Sequence, residues 1–271
     1  MKKTLFVPKQ RGGHVTHYHH FLYGYYLPIL LEPEILNNLG EEKYVFNCDN
    51  MNKIFEQTPK INFGIIEEAR PDGNKLDVAQ TVLDQFDCKT PKAFDGHGYD
   101  IPKVMIENLN KVVDKIYDIK NSTDEYILLI DRGRTPTKSK QDEFDNLDSR
   151  YTFGNQRRTI SNIDEVHQHL KNIMPTKRVR LENWSLKDQI VLFRNAKYIV
   201  AQHGAGLSNA IFVSDKCKGV VEFSTKYIPR QREWFSKLFS NLSIKHIKIV
   251  SQEQHINIDL DRFQRVTKNL F

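Results

Sequence analysis

Short apolar runs alternate with amphipathic segments and polar, turn-rich stretches along this chain, a pattern that predicts strands joined by helices. In the first half, residues 4–7, 43–47 and 62–66 read as strands, each followed by polar or turn residues. Residues 16–31 form a helix candidate dense in aromatics. Pro28 should kink or end it, because proline lacks the amide N–H and crowds the preceding turn. Residues 71–100 carry Pro71-Asp72-Gly73-Asn74 and Asp95-Gly96-His97-Gly98 and read as irregular. Residues 101–117 have helical spacing, with Val104, Leu109, Val112, Val113 and Ile116 on one face.

The second half is patterned more sharply. Residues 125–130 are an apolar run ending at Asp131, as expected of a buried parallel strand. Residues 177–181, 197–201, 219–223 and 243–250 read as further strands, and residues 207–212 and 230–239 as helices. Ser161-x-x-Asp164 and Asn162-x-x-Glu165 resemble capping boxes opening a helix towards Lys171, and Ser185-x-x-Asp188 caps a helix with Leu186, Ile190 and Phe193 on one face. Regular strand–helix alternation gives an α/β fold with parallel strands. The polar stretch Lys120-Asn121-Ser122-Thr123-Asp124 divides it into lobes over residues 1–120 and 121–271.

Composition narrows the class only a little. The 271 residues suit two compact α/β domains or one large one. With 39% apolar and 27% charged residues the chain is globular, not disordered. Lys and Arg number 40 against 34 Asp and Glu, a net +6 that favours anionic partners. No run of about 18 apolar residues is present, so no membrane span is expected. Met1-Lys2-Lys3 is followed by too short an apolar stretch for a secretory leader. Cys48, Cys88 and Cys217 are odd in number and scattered, which fits buried thiols in a reducing compartment better than disulfides or zinc. The expectation is a cytoplasmic protein, or the soluble core of a trimmed one.

Ligands of open α/β sheets bind beyond the C-terminal strand ends, so the residues there carry the candidate chemistry. Gln202-His203-Gly204-Ala205-Gly206-Leu207-Ser208-Asn209 follows one strand. Its glycines let the backbone turn tightly and approach a ligand, and the next helix offers amide N–H groups to a phosphate. The alternative is a tight turn with a packed histidine. Asp131-Arg132-Gly133-Arg134 follows another strand, and Arg157-Arg158 comes later; guanidinium forks suit diphosphates, although single arginines are more often solvated. Glu222 can accept hydrogen bonds from a ribose diol, or cap a helix. His14, His17, His19 and His20 invite a metal reading, yet they lack the cysteine or acidic company of a structural site, so no metal is expected. With Tyr18, Tyr23, Tyr25 and Tyr26 they make a polar-aromatic wall for an acceptor, or an amphipathic cover for a sheet. Two non-enzymatic classes stand beside catalysis: a silent nucleotide-sugar binder, and a basic nucleic-acid module. The chain shows no basic helix face and no motif for the latter.

Taken in order, Arg132, Arg157-Arg158-x-Ile160-x-Asn162, Leu186-x-x-Gln189, Ala196-x-x-Ile199-Val200-x-x-His203-Gly204-Ala205-Gly206-Leu207-x-Asn209 and Val221-Glu222 resemble the C-terminal half of glycosyltransferase family 61. That family includes O-linked N-acetylglucosamine transferases and plant xylosyl- and arabinosyltransferases. The resemblance implies a GT-B-like architecture, two Rossmann-like lobes with a cleft between them. It implies inverting transfer of a sugar such as xylose or N-acetylglucosamine from a UDP-sugar to a glycan or protein hydroxyl, with no essential metal or other cofactor. The donor would lie on Arg132, Arg157, Arg158, Gln189, His203, Gly204, Ala205, Gly206, Leu207, Asn209 and Glu222. In the N-terminal half His20-Phe21-Leu22-Tyr23 and Leu27-Pro28 match the family, but Gly24 and Tyr25 stand where its acid would be. His20, Glu32, Glu34 and Asp49 are then the candidates for catalytic base.

Overall fold

The computed structural model describes residues 3–8, 15–67, 70–72, 75–77, 80–92, 94, 100–120, 122–133, 158–225, 234–253 and 255–271. The chain divides into two compact units, residues 1–120 with 185–187, and residues 121–184 with 188–271. Each is an α/β unit built on a parallel sheet.

In the first unit β1 (Lys3–Phe6), β2 (Glu42–Phe46), β3 (Asn62–Ile66) and β6 (Phe86–Lys89) pair in the order β3-β2-β1-β6, all parallel. β4 (Arg70–Asp72) and β5 (Lys75–Asp77) form a separate antiparallel pair. The stretch expected to be irregular therefore holds three strands. β6 escaped notice because Phe86-Asp87-Cys88-Lys89 is a mostly exposed edge strand with little apolar signal.

The aromatic helix runs over residues 18–30, with a π-helical turn at Leu22–Tyr26 followed by the α-turn Leu27–Leu30. Pro28 neither ends nor breaks it. The missing amide removes an α-type bond to the carbonyl of Gly24, and the wider turn just before the proline accommodates the loss. The helix packs through rings: Phe21 and Tyr26 lie 5.2 and 5.6 Å from Phe55, and the Tyr25 hydroxyl donates to the Phe6 carbonyl at 2.7 Å. A Cβ added at Gly24 would have nothing within 4 Å, and Gly24 is not among the glycines with positive φ. Gly24→Ala should therefore raise stability by roughly 0.5–1 kcal/mol through lost chain entropy. A urea midpoint that falls instead would show that the π turn requires glycine.

The helix Lys103–Tyr117 buries Ile106, Leu109, Asn110, Val113 and Ile116, an i, i+3, i+4, i+7 stripe. Val104, placed on that face from spacing alone, is 63% exposed. The stripe begins two residues later, at Ile106.

The second unit contains β7 (Tyr126–Ile130), β8 (Thr176–Val179), β9 (Ala196–Gln202), β10 (Gly219–Thr225) and β11 (Lys245–Ser251), ordered β11-β10-β9-β7-β8 and all parallel. Every residue of β7 and β10 is buried. One sheet face, through Ile127, Leu129, Val200, Val221 and Phe223, packs on Ile163, Val166 and Leu170 of helix Ile163–Lys171 and on Phe263 of helix Leu260–Thr267.

Counted within the unit, this is the 2-1-3-4-5 order of doubly wound folds. Connections leave β7 and β9 in opposite directions, so the topological switch point, where such folds bind ligands, lies at the C-terminal ends of these two strands.

Among the described residues no helix is long and apolar enough to cross a membrane. Cys48 and Cys217 are buried free thiols as expected, but Cys88 is exposed on β6.

Candidate functional site

Arg132 follows β7 and His203 follows β9, so the strand order brings both to the switch point. The contact between these two exits is direct. A Cβ added at Gly204 would overlap Nη1 of Arg132 and lie 3.0 Å from its Cζ. The guanidinium thus occupies the side-chain space that Gly204 leaves empty. Gly204 has φ 163° and ψ 179°, extended backbone open to any residue, so this glycine is needed for room, not for turning. Gly206 is similar: its Cβ would come within 3.0 Å of Leu181 Cδ1. The sequence reading of two turn glycines is corrected accordingly.

The helix that follows, Ala205–Phe212, is a 3-10 helix. Leu207 N donates to the Gly204 carbonyl at 3.0 Å, and Ala205 and Gly206 lead the helix at the exposed end of the turn.

Asp131 fixes the other side. Its Oδ1 accepts the Gly133 amide at 2.7 Å and its Oδ2 accepts Arg178 Nε at 2.9 Å, with Arg180 Nε 3.6 Å away. Arg178 also pairs with Asp164 at the start of helix Ile163–Lys171. The acid beside Arg132 is therefore engaged by other cations and by the loop backbone. Asp131 is only 5% exposed, and its place at the end of an apolar strand was the only sequence signal for it.

Arg158 precedes a segment tied to the chain after β11. Ile160 bridges Ile256, Ile256 N donates to Thr159 O, and Asn162 exchanges two bonds with the backbone of Ile258 at 2.8 and 2.9 Å. Ser161 Oγ donates to Ile256 O. Ser161 and Asn162 are thus staples to the segment after β11; Asn162 does hold the N-cap position, its Nδ2 donating to Glu165 Oε2 at 3.2 Å. Asn162 heads the helix without a side-chain bond to its backbone amides. Arg157 lies outside the described residues, as does His14.

Gln189, Leu207 and Asn209 are brought to this turn but face inward. Gln189 Nε2 donates to the carbonyls of Leu181 and Trp184, both at 3.0 Å, while its Oε1 accepts Asn209 Nδ2 at 2.7 Å. Asn209 is fully buried and Leu207 1% exposed. These residues clamp the turn after β8 to the turn after β9, holding the shape that Arg132 fills.

Glu222 is corrected in position and partners. β10 continues through Phe223, Ser224 and Thr225, so Glu222 sits mid-strand and not at its end. It is 1% exposed; its Oε1 takes His203 Nδ1 at 2.5 Å and its Oε2 takes His246 Nε2 at 2.9 Å, with Lys248 Nζ 3.9 Å from Oε1. A ribose diol would find both oxygens already bonded to histidines. Burial pushes this carboxyl's pKa up, but the hydrogen bonds from His203 and His246, with the Lys248 charge nearby, outweigh it and hold it at about 2.

A carboxylate with a folded pKa below its ordinary 4.5 contributes stability that is fully present above pH 4.5 and lost as the pH falls towards 2. Glu222→Gln should therefore cost about 3 kcal/mol at neutral pH. Its melting-temperature gap from wild type should shrink between pH 5 and 3; a gap independent of pH would contradict this.

In the first unit the helix start at residues 18–20 lies beyond the C-terminal end of β1, since Tyr25, further along, is tied to Phe6 at that strand's last residue. His20 is half-buried there, its ring 5.4 Å from His19 and 6.1 Å from His17, while His19 stacks 4.8 Å from Tyr23. Asp49 is exposed just after β2, with φ 50° and its amide donating to Asn47 Oδ1. It shares the C-terminal edge of this sheet with His20. Glu32 does not, because the intervening helix sets it roughly 15–18 Å away along the axis. Its neighbour Glu34 accepts from Thr4 and pairs with Lys43, near the starts of β1 and β2. Among the described residues no group of three or more His, Cys, Asp or Glu is placed to hold a metal ion.

The model of one protein family, described as Glycosyltransferase 61, matches residues 18–221, a stretch running from the aromatic helix through the Gly204 turn. No curated protein matches the chain.

Proposed function

Since the chain belongs to glycosyltransferase family 61 and is a glycosyltransferase, we propose that it transfers a sugar with inversion from a UDP-sugar to a hydroxyl of a glycan or protein. The observation that carries the donor assignment is the Arg132 guanidinium seated over Gly204 at the β7/β9 switch point. The leading amides of the Ala205–Phe212 helix add positive potential at this sheet edge, and Arg158 is proposed to join them. An inverting transfer deprotonates the acceptor hydroxyl, which attacks the anomeric carbon opposite the departing nucleotide. Negative charge grows on the leaving diphosphate, and fixed cations aimed there stabilise the transition state more than the ground state.

Arg132, Arg158 and the His203–Leu207 turn then supply the positive charge that a divalent ion supplies elsewhere. Transfer should persist in excess EDTA; full loss restored by Mg²⁺ or Mn²⁺ would overturn the metal-free reading. His20 is the proposed base, because imidazole titrates near neutral pH and half-buried His20 sits at the ligand-bearing edge of its own sheet.

Open space at Gly24 favours one second reading, a relative that binds donor without transferring it: the family's acid has no counterpart at that position. A thermal-shift panel of nucleotide sugars tests the donor class. UDP-linked sugars should raise the melting point, by about 2.7 kcal/mol of added stability at a hundred times Kd. Stabilisation by other nucleotides but not by UDP or its sugars would reject the assignment. Release of UDP in the presence of acceptor separates the enzyme from the silent binder.

A further inference from the structure

Glu222 has a second histidine whose presence the donor site does not require for contact. β10 and β11 run in register with Glu222 beside Lys248, and alternate residues of β11 face opposite ways. Ile247 and Ile249 pack on the apolar face, which puts His246 and Lys248 on the other face with Glu222. Helix Trp234–Asn241 covers this face: Phe235 lies 5.3 Å from the His203 ring, Phe239 lies 4.8 Å from His246, and Ser236 Oγ is 3.2 Å from His246 Nδ1. A line of groups, Ser236–His246–Glu222–His203, thus runs across three adjacent strands and ends at the Gly204 turn.

The chemistry of the line fixes its protons. Glu222 is ionised and can only accept, so the ring nitrogen that each histidine turns to it must carry hydrogen. His203 is then protonated on Nδ1 and His246 on Nε2. The Ser236 hydroxyl can donate to His246 Nδ1, which satisfies His246 as a neutral ring. We propose that His246 is a positioning residue: by holding Oε2 it keeps Glu222 turned towards His203, and so sets which nitrogen of His203 carries the proton. Without His246 the carboxylate loses one of its two N–H donors and is no longer held against His203. With no fixed acceptor facing Nδ1, His203 loses its bias towards the Nδ1–H form, and by exchange through solvent the ring proton shifts towards Nε2. The atom of His203 turned away from Glu222 then changes from acceptor to donor.

The functional consequence rests on the donor-site reading, but the proton position is a property of the protein alone. Long-range ¹H–¹⁵N spectra of the full chain with ¹⁵N-labelled histidine report it directly, with His203 assigned by its loss in His203→Gln. At pH 8 the wild type should show His203 protonated at Nδ1 and bare at Nε2. His246→Leu should move that proton towards Nε2, leaving Nδ1 bare. His246→Gln, whose amide can still donate to Glu222, should restore the wild-type position. A wild-type His203 protonated on Nε2 overturns the proposal, whether or not the Leu variant folds, and so does a proton position indifferent to His246→Leu. The expected spectra in a protein that binds no UDP would uphold the proposal and reject the donor site instead.

Discussion

Gly204→Ala is expected to weaken UDP binding by roughly 100- to 1,000-fold while leaving the melting temperature within a few degrees of wild type. The added methyl overlaps the Arg132 guanidinium, which is the far end of a flexible side chain, so the fold yields by letting that group swing away. Binding cannot yield in the same manner. A guanidinium donating two bonds to a diphosphate contributes about 1.5–3 kcal/mol per bond, and eviction forfeits both. Arg132→Ala should match this loss, and the double variant should be no worse than either, because both remove one interaction. Calorimetric titration of the three variants checks the set. Wild-type affinity in Gly204→Ala would mean that Arg132 does not touch the donor.

His20→Ala is expected to lower turnover by roughly 10²–10⁴-fold, the range for loss of a general base. UDP affinity should stay close to wild type, since the proposed donor groups are all carried by the other unit of the chain. The substitution should fold, because His20 is only half-buried. Steady-state rates with saturating donor, alongside UDP titration, separate the two effects. Asp49 shares the sheet edge with His20 and is the proper competitor; Glu32 stands at the far end of the helix. Wild-type turnover in His20→Ala with a dead Asp49→Asn would transfer the role to the carboxylate.

The strands of the second unit were legible within a residue or two, most clearly β7, β9 and β10, which are buried apolar runs, and the strand exits carrying Arg132 and His203 could be located from them. The order of those strands was not legible. Nothing local in residues 126–130 or 196–202 says that they are neighbours, and that adjacency is what makes a switch point of Arg132 and Gly204. Glu222 was misplaced because the strand was ended at Phe223, Ser224-Thr225 reading as a loop, whereas β10 continues through both, paired in parallel with β11. His246 was overlooked for a related reason. In Lys245-His246-Ile247-Lys248-Ile249 the polar positions alternate as on a solvent-facing strand, yet that face is covered by helix Trp234–Asn241 and holds a buried carboxylate. Gln189 and Asn209 read as donor contacts, and a sequence cannot distinguish a side chain that meets a ligand from one that clamps the loop meeting it.

The most direct test of a nucleotide-sugar donor site is isothermal titration of UDP into the wild-type protein, at low salt and in the presence of EDTA. The cations gathered at the β7/β9 switch point predict a one-to-one complex of about −7 to −8 kcal/mol, in the micromolar range. A folded wild-type protein that takes up no UDP at millimolar concentration would contradict the donor site.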